Sequence, residues 1–393
     1  MVSTATALVQ TGPQDLEFRK IPFPKLEAGA ALVRVEANGI CASDLDAFAG
    51  HGGGLDPADM SQYPRINGHE IIGIIEELGP ATRDREGLKV GDRVGVGPFL
   101  GCGSCPECRR GQTQFCTGME FSPSCYGFIP TWMGPGLWGG YSTHVYIHPK
   151  TILYPFTEDT NPFDAALWNP LANGIQWAVR DGGVGLGTRV AILGSGQRGL
   201  ACVAASKAAG AGLIVTTGLT RDSHKLNLAR RLGADAAIDV ETSDLVSQAN
   251  ELTGGEGFDV VIDTSPGAEK PVLDGLQILR AGGTFVSAGI KGKPLSAFPL
   301  DTVTIKGIRM VGVIGSSHEA MQMAADLIMS KTLPLHEMRT HVFGFDQLPL
   351  ALDVLQGKVP GEQAINIVVT PTFSDSTGNE LQTATTMAHA AQH

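Results

Sequence analysis

Four of the seven cysteines of this chain fall in one stretch of fifteen positions, "CGSCPECRRGQTQFC", as Cys102, Cys105, Cys108 and Cys116. Cysteines two residues apart make poor disulfide partners for one another but good chelators. A bacterial ferredoxin cluster would place its fourth cysteine three residues after the third and follow it with proline, whereas here seven residues intervene and Thr117 follows. Four soft ligands in a glycine-punctuated loop fit Zn²⁺ in a tetrahedron. Four protein thiolates leave no position open for a substrate, so this zinc is expected to be structural and the chemistry to lie elsewhere.

A second group of candidate ligands comes earlier in the chain. "GICASDLD" carries Cys41, Ser43, Asp44 and Asp46, and "NGHEIIG" carries His69 and Glu70. Thiolate, imidazole and carboxylate together suit a Zn²⁺ that keeps one position open. The same residues have plainer uses, Cys41 as a small buried hydrophobe and His69 as a hydrogen-bonded turn residue.

A third motif, "VAILGSGQRG", sets Gly194, Gly196 and Gly199 after an apolar run and at the opening of a helical one. In that context the first glycine permits a tight turn, the second lets a pyrophosphate approach the backbone and the third lets helix and strand pack closely. The helix N-terminus offers its N–H groups to the phosphates. The segment "LIVTTGLTRDSHK" then ends its apolar run on Gly218, with no acid before Asp222. Without a carboxylate to bind the ribose 2′-hydroxyl, Arg221 or Lys225 is free to pair with a 2′-phosphate, which favours NADP over NAD. A rotated Asp222 serving NAD is the alternative.

These groups need elements to hold them. Residues 1 to about 160 are short apolar stretches broken by glycine and proline, the pattern of a β-rich domain. From about 163, helical and strand patterns alternate, which implies a parallel, doubly wound α/β sheet. The final twenty or so residues are polar, without a sustained apolar period, and read as a disordered tail. A length of 393 residues suits two domains, and 42% apolar with 18% charged residues is ordinary for a soluble globular chain. No apolar run reaches membrane-span length and no signal peptide is evident, so a cytoplasmic protein with reduced thiols is expected. A net charge of −11 without a dense basic block argues against nucleic acid as a partner.

Taken in order, the Cys41-x-Ser43-Asp44 segment, Gly68-His69-Glu70, "GDRV" at 91–94, the four-cysteine lobe and the glycine turn resemble the zinc-dependent medium-chain dehydrogenase/reductase family, alcohol dehydrogenase type. The likeness runs over about residues 5–370. It implies a GroES-like catalytic domain at 1–170 and 313–371 with the structural lobe at 101–117, a Rossmann domain at 171–312, and a tail at 372–393. It also implies two zincs per subunit, NAD(P)-dependent reversible oxidation of an alcohol to a ketone or aldehyde, and a homodimer or homotetramer, often joined through the edge of the Rossmann sheet. By the resemblance Cys41 and His69 are catalytic zinc ligands, Glu70 is a carboxylate that ligates or exchanges, Ser43 is the first proton-relay group, and Asp44 orients a ligand.

Two positions depart from the family pattern. In "LWNPLANG" the usual cysteine or glutamate ligand is replaced by Asn169, a weaker neutral donor, and Asp46 stands where many relatives have a relay histidine. The aromatic-rich "MEFSPSCYGFIPTWMGPGLW" and the glycine-rich "AGHGGGLDPADMSQYP", which includes His51, suggest a cleft for a medium-sized hydrophobic, possibly cyclic or aromatic alcohol. A polyol or sugar substrate and a non-catalytic nucleotide-binding scaffold or redox sensor are the alternatives. Cys125 and Cys202 have no partner motif.

Overall fold

Parallel strands covered on both faces read as nearly unbroken apolar runs, and "RVAIL", "LIVTTG" and "FDVVID" are buried along almost their whole length. The structure, a computed structural model, describes residues 3–50, 62–80, 87–119, 124–374 and 380–381. It divides into two units, Met1–Trp168 with Arg339–His393, and Asn169–Met338.

The first unit is β-rich. Its strands are β1 (Thr4–Gly12), β2 (Asp15–Pro22), β3 (Ala31–Gly39), β4 (Arg65–Ile66), β5 (Glu70–Leu78), β6 (Arg93–Val96), β7 (His144–Ile147) and β8 (Leu153–Phe156). β1 lies between β2 and β4 in a small sheet, while β3, β5, β6 and β8 run side by side in a larger one. Its core includes Ile71, Ile75, Trp138, Tyr141 and Val145.

The second unit carries β9 (Arg189–Leu193), β10 (Leu213–Gly218), β11 (Ala236–Asp239), β12 (Phe258–Asp263), β13 (Leu279–Ser287) and β14 (Arg309–Gly312). They form one parallel sheet in the order β11-β10-β9-β12-β13-β14, the doubly wound dinucleotide-binding order with its reversal between β9 and β12. Helix Gln197–Ala208 opens at Gly196 and buries Leu200, Val203 and Ala204. The helical stretch 168–181 changes character midway: Trp168–Gly174 is α-helical and Ile175–Asp181 a π-helix.

The chain returns to the first unit later than residue 313. β14 completes the parallel sheet, and Ser317, which caps helix His318–Ser330, gives its N–H and hydroxyl to Gln176 Oε1 at 3.2 and 2.7 Å, keeping that helix in the second unit. The return is made by β15 (Arg339–Gly344) and β16 (Asn366–Thr370), with β16 pairing antiparallel to β3. Of the polar C-terminal stretch 372–393, Phe373–Ser374 pairs with Glu380–Leu381, and residues 375–379 and 382–393 lie outside the described residues.

Candidate active site

Strand register brings the first donor group together. In the antiparallel β3–β5 pair, Gly39 stands opposite Glu70, so Cys41, just past the end of β3, meets His69, just before β5. The ligand atoms of Cys41, His69 and Glu70 all lie within 4.8 Å of one another. Glu70 is fully buried, and a Cβ on Gly39 would lie 2.3 Å from its Oε2, so the carboxylate occupies space that only a glycine leaves.

Helix Ala42–Ala49 begins at Cys41 and carries the neighbours of this cluster. The Cys41 N–H donates to Asp44 Oδ2 at 2.8 Å, and Asp44 Oδ1 stands 3.5 Å from His69 Nδ1. Ser43 Oγ is 3.4 Å from His69 Nε2, on the other edge of the ring. Asp46, on the opposite side of the helix from buried Asp44, is exposed. Burial lowers the proton affinity of His69, but the charge and hydrogen bond of Asp44, together with Cys41, outweigh it and hold its pKa well above the ordinary value. The Tyr141 phenol is pushed up by burial and then by Asp44, Glu70 and Cys41. Both shifts report a buried negative field, which suits a cation. Thiolate, imidazole and carboxylate in this field fit zinc.

The cysteine lobe fits zinc by a different measure. Cys102 and Cys108 sulfurs are 3.9 Å apart, as are those of Cys105 and Cys116. Tetrahedral Zn–S bonds of roughly 2.3 Å imply S···S near 3.8 Å. Backbone N–H groups of Ser104 and Cys105 point at Cys102 Sγ at 3.4 and 3.3 Å. With the Ser104 hydroxyl they lower the Cys102 pKa to about 5. Cys108 runs the other way, pushed by burial to about 12. A bound cation would deprotonate all four thiols, and the convergent sulfurs suit one.

In the second unit the three glycines do three different things. Gly194 has φ +107°, a Cβ on Gly199 would lie 1.9 Å from the Gly194 carbonyl oxygen, and a Cβ on Gly196 would meet nothing within 4 Å. The turn is tight at the first, open to a ligand at the second, and closely packed at the third. A Cβ on Gly218 would fall 2.6 Å from Ser195 Oγ and 3.0 Å from Leu226 Cδ2, so a larger residue at the end of β10 would have to displace both side chains. Lys225 pairs with Asp222 at 2.7 Å, and Arg221 is exposed, with no ion pair among the described residues. Thr220 bonds Asp239 and Glu241 at 2.7 and 2.8 Å, giving this rim both signs of charge. Asn169 belongs to the second unit, where its Oδ1 accepts from Arg198 Nη1 at 3.3 Å.

Comparison with known proteins bears on the same residues. The family model "Alcohol dehydrogenase GroES-like domain" matches residues 27–158, and "Zinc-binding dehydrogenase" matches 199–330. The "Probable alcohol dehydrogenase adh" of Mycobacterium tuberculosis H37Rv is 36% identical over 368 residues, covering 93% of this chain and 98% of the relative. The chain belongs to the zinc-dependent medium-chain dehydrogenase/reductase family. As a member of that family it is an NAD(P)-dependent oxidoreductase with a GroES-like and a Rossmann-type part. Another relative is the erythritol/L-threitol dehydrogenase of Mycolicibacterium smegmatis, 30% identical over 371 residues, 93% of this chain and 97% of that one. A zinc-binding dehydrogenase of Sinorhizobium meliloti 1021 bound to NADP superposes with TM-score 0.79 at 26% identity, over 94% of this chain and 100% of that one.

Family membership does not by itself give the walls of the site. Among the described aromatics of 119–138, Tyr126 and Trp138 are packed in the core of the first unit and Trp132 is exposed; Phe121 lies outside the described residues. The Phe128 ring lies 5.4 Å from that of His69 and packs with Ala47, Cys125 and Phe99. His51 and residues 52–61 lie outside the described residues. Sequence reading also missed a buried polar web beneath helix Ala42–Ala49. Arg65, fully buried, donates to the Ala47 carbonyl at 2.9 Å and to Gln10 Oε1 at 3.2 Å, while Gln10 donates to the Ala47 and Phe48 carbonyls at 3.1 Å each. A cation at a helix C-terminus complements its dipole. An arginine among apolar residues in "YPRING" was the only signal in the sequence.

Proposed function

We propose that this family member is an alcohol dehydrogenase and carbonyl reductase that takes a medium-sized, predominantly apolar alcohol. The carrying observation is the Cys41–His69–Glu70 cluster with Phe128 against the His69 ring. Zinc and the nicotinamide, when bound, supply a Lewis acid for the alcohol or carbonyl oxygen and a hydride acceptor or donor. Cys41, His69 and Glu70 hold the metal, and Asp44 fixes the His69 ring from the Nδ1 side. Ser43 Oγ accepts the substrate hydroxyl proton as it releases its own toward solvent, with Asp46, on the exposed side of the same helix, as the carboxylate that takes that proton and gives it to water. Asn169, whose oxygen accepts from Arg198, we assign to supporting Arg198 and not to the metal. Cys102, Cys105, Cys108 and Cys116 hold the structural zinc.

NADP is the cofactor we assign, because β10 ends on Gly218 without the acid that NAD selection uses and exposed Arg221 is available to a 2′-phosphate. A polyol substrate is the second reading, favoured by the erythritol/L-threitol dehydrogenase relative. The test is zinc per subunit and turnover for the wild type and Cys41→Ser, with cyclohexanol, benzyl alcohol, erythritol and sorbitol, each with NADP and NAD. Two zincs falling to one, with turnover lost, support the metal assignment. One zinc in both, or full activity in Cys41→Ser, refutes it. Faster turnover of erythritol or sorbitol moves the substrate to polyols, and a higher kcat/KM with NAD overturns the NADP assignment.

A homodimer through β14 belongs to the same reading. β14 ends the parallel sheet; its Met310, Ile314 just past its end and Ile290 in the loop after β13 are 42%, 42% and 59% exposed. An open edge with apolar flanks is a template for pairing with a second copy. Light scattering should give at least twice the chain mass, and a monomer would overturn it. A cytoplasmic location belongs to the same reading, since a reducing compartment keeps zinc-holding thiols from pairing as disulfides.

A further inference from the structure

Near the glycine turn, the second unit buries a cation beside an anion. Lys291 Nζ lies 2.6 Å from Asp263 Oδ2, with the two side chains 12% and 0% exposed. Such a pair adds little net stability, because desolvation offsets most of the attraction. Its place in the fold is more telling. Asp263 is the last residue of β12, paired with Leu193 of β9 on one side and Ser287 of β13 on the other. The β9/β12 junction is where the strand order reverses, and doubly wound sheets bind their ligands at the carboxyl ends of the strands there.

From this pair a web of bonds reaches the turn. Lys291 Nζ also donates to the Ser265 carbonyl at 2.5 Å, and the Ser265 N–H returns to Asp263 Oδ1 at 3.0 Å. The Ser265 hydroxyl donates to the Leu193 carbonyl at 3.0 Å, and that of Thr264 to the Leu193 and Gly194 carbonyls at 3.0 and 3.2 Å. The Asp263 carbonyl accepts from the N–H groups of Ala288 and Gly289 at 3.0 and 2.8 Å. A Cβ on Gly289 would lie 2.3 Å from the Ser265 carbonyl oxygen, so the two loops meet backbone to backbone. One ammonium thus draws the loops after β12 and β13 together, next to Gly194.

The side of the crevice follows from the sheet order. In this fold the adenosine ribose is recognised at the end of the second strand, here β10, and the pyrophosphate at the turn after β9, which leaves the nicotinamide half over β12 and β13. We propose that Lys291, through its ion pair with Asp263, is a positioning residue for the nicotinamide half of the cofactor. The proposal rests on the crevice being the dinucleotide site of the function given above.

The experiment compares wild type, Lys291→Met, Asp263→Asn and the double variant in direct binding titrations. The ligands are NADPH and NADH and their adenosine halves, 2′,5′-ADP and 5′-AMP, well below each variant's Tm. Each single variant is expected to weaken the preferred dinucleotide by roughly tenfold or more, to leave its adenosine half within about twofold, and to keep its zinc. The double variant should be no weaker than the weaker single one, since both remove the same interaction. Equal loss for the adenosine half would mean a general loosening of the domain and overturn the proposal. So would a dinucleotide Kd within twofold of wild type. Should Lys291→Met fail to fold, Lys291→Gln keeps a donor for the Ser265 carbonyl, loses the charge, and carries the same expectation at roughly threefold. A wild type that binds neither dinucleotide would overturn the cofactor reading itself and the proposal with it.

Discussion

Glu70 comes within reach of Cys41 and His69, the other proposed metal donors, because residue 39 has no side chain. A methyl group there would sit 2.3 Å from Glu70 Oε2, closer than any real contact, and Glu70 rather than the paired strand backbone has the freedom to move. Gly39→Ala is therefore expected to release zinc from the catalytic site roughly tenfold faster to a chelator, while the four-cysteine zinc stays bound. Unchanged release from both sites would show that Glu70 is not a ligand. That Cys41, His69 and Glu70 are candidates to converge was legible in the sequence, since cysteine, histidine and glutamate close to glycines are a small set. Gly39 was not, because its role depends on which residue of β5 stands opposite it.

The strands of the parallel sheet are held at their amino ends by charge. Asp259 of β12 accepts from the Arg189 N–H at 2.8 Å and from Arg280 Nε at 2.6 Å, linking β9, β12 and β13. Burial alone would raise its pKa, but the bonds from Arg280 and Arg189 outweigh it, and the carboxyl titrates below its ordinary 3.8. A depressed folded-state pKa means stability that is fully present above the unfolded value and is lost as pH falls through the lower folded one. Asp259→Asn is expected to lower stability at pH 7 by about 1 kcal/mol, reduced from the value of a fully buried charged bond by its partial exposure. The gap should begin to narrow in urea unfolding as pH falls below 3.8 and vanish below the folded-state value, and a gap independent of pH would assign the effect to packing. The alternating β and α pattern of these elements was readable from residue 163 onward. The π-helical turn at Ile175–Asp181 was not, because a widened turn leaves the local composition unchanged.

At the scale of the whole molecule, the second unit is one continuous segment, and the first is assembled from two. The second has its own core, with Leu193, Val261, Leu276 and Phe285 buried, and a complete six-stranded sheet. A fragment spanning 169–338 is expected to fold alone, with an α/β circular dichroism spectrum, and to bind the dinucleotide within roughly tenfold of the full chain. A fragment that stays unfolded would show that its sheet needs the first unit. A fragment ending at Trp168 should fail to fold, since it lacks β16, whose Val368 and Val369 pair with Gly39 and Asn38 of β3. The sequence by itself determined the family and the candidate groups: four cysteines spaced to hold a zinc, a second set of thiolate, imidazole and carboxylate, a glycine turn suited to a dinucleotide, and their order along the chain. Those follow from residue types whose chemistry is local. The tertiary structure alone decided which partners each group has, because register and strand order bring together residues far apart in the chain: Glu70 over Gly39, the chain's return at Arg339, and Lys291 on Asp263. Tyr126 and Trp138 show the same limit, since an apolar ring serves a core or a cleft equally well and only packing put these two in the core.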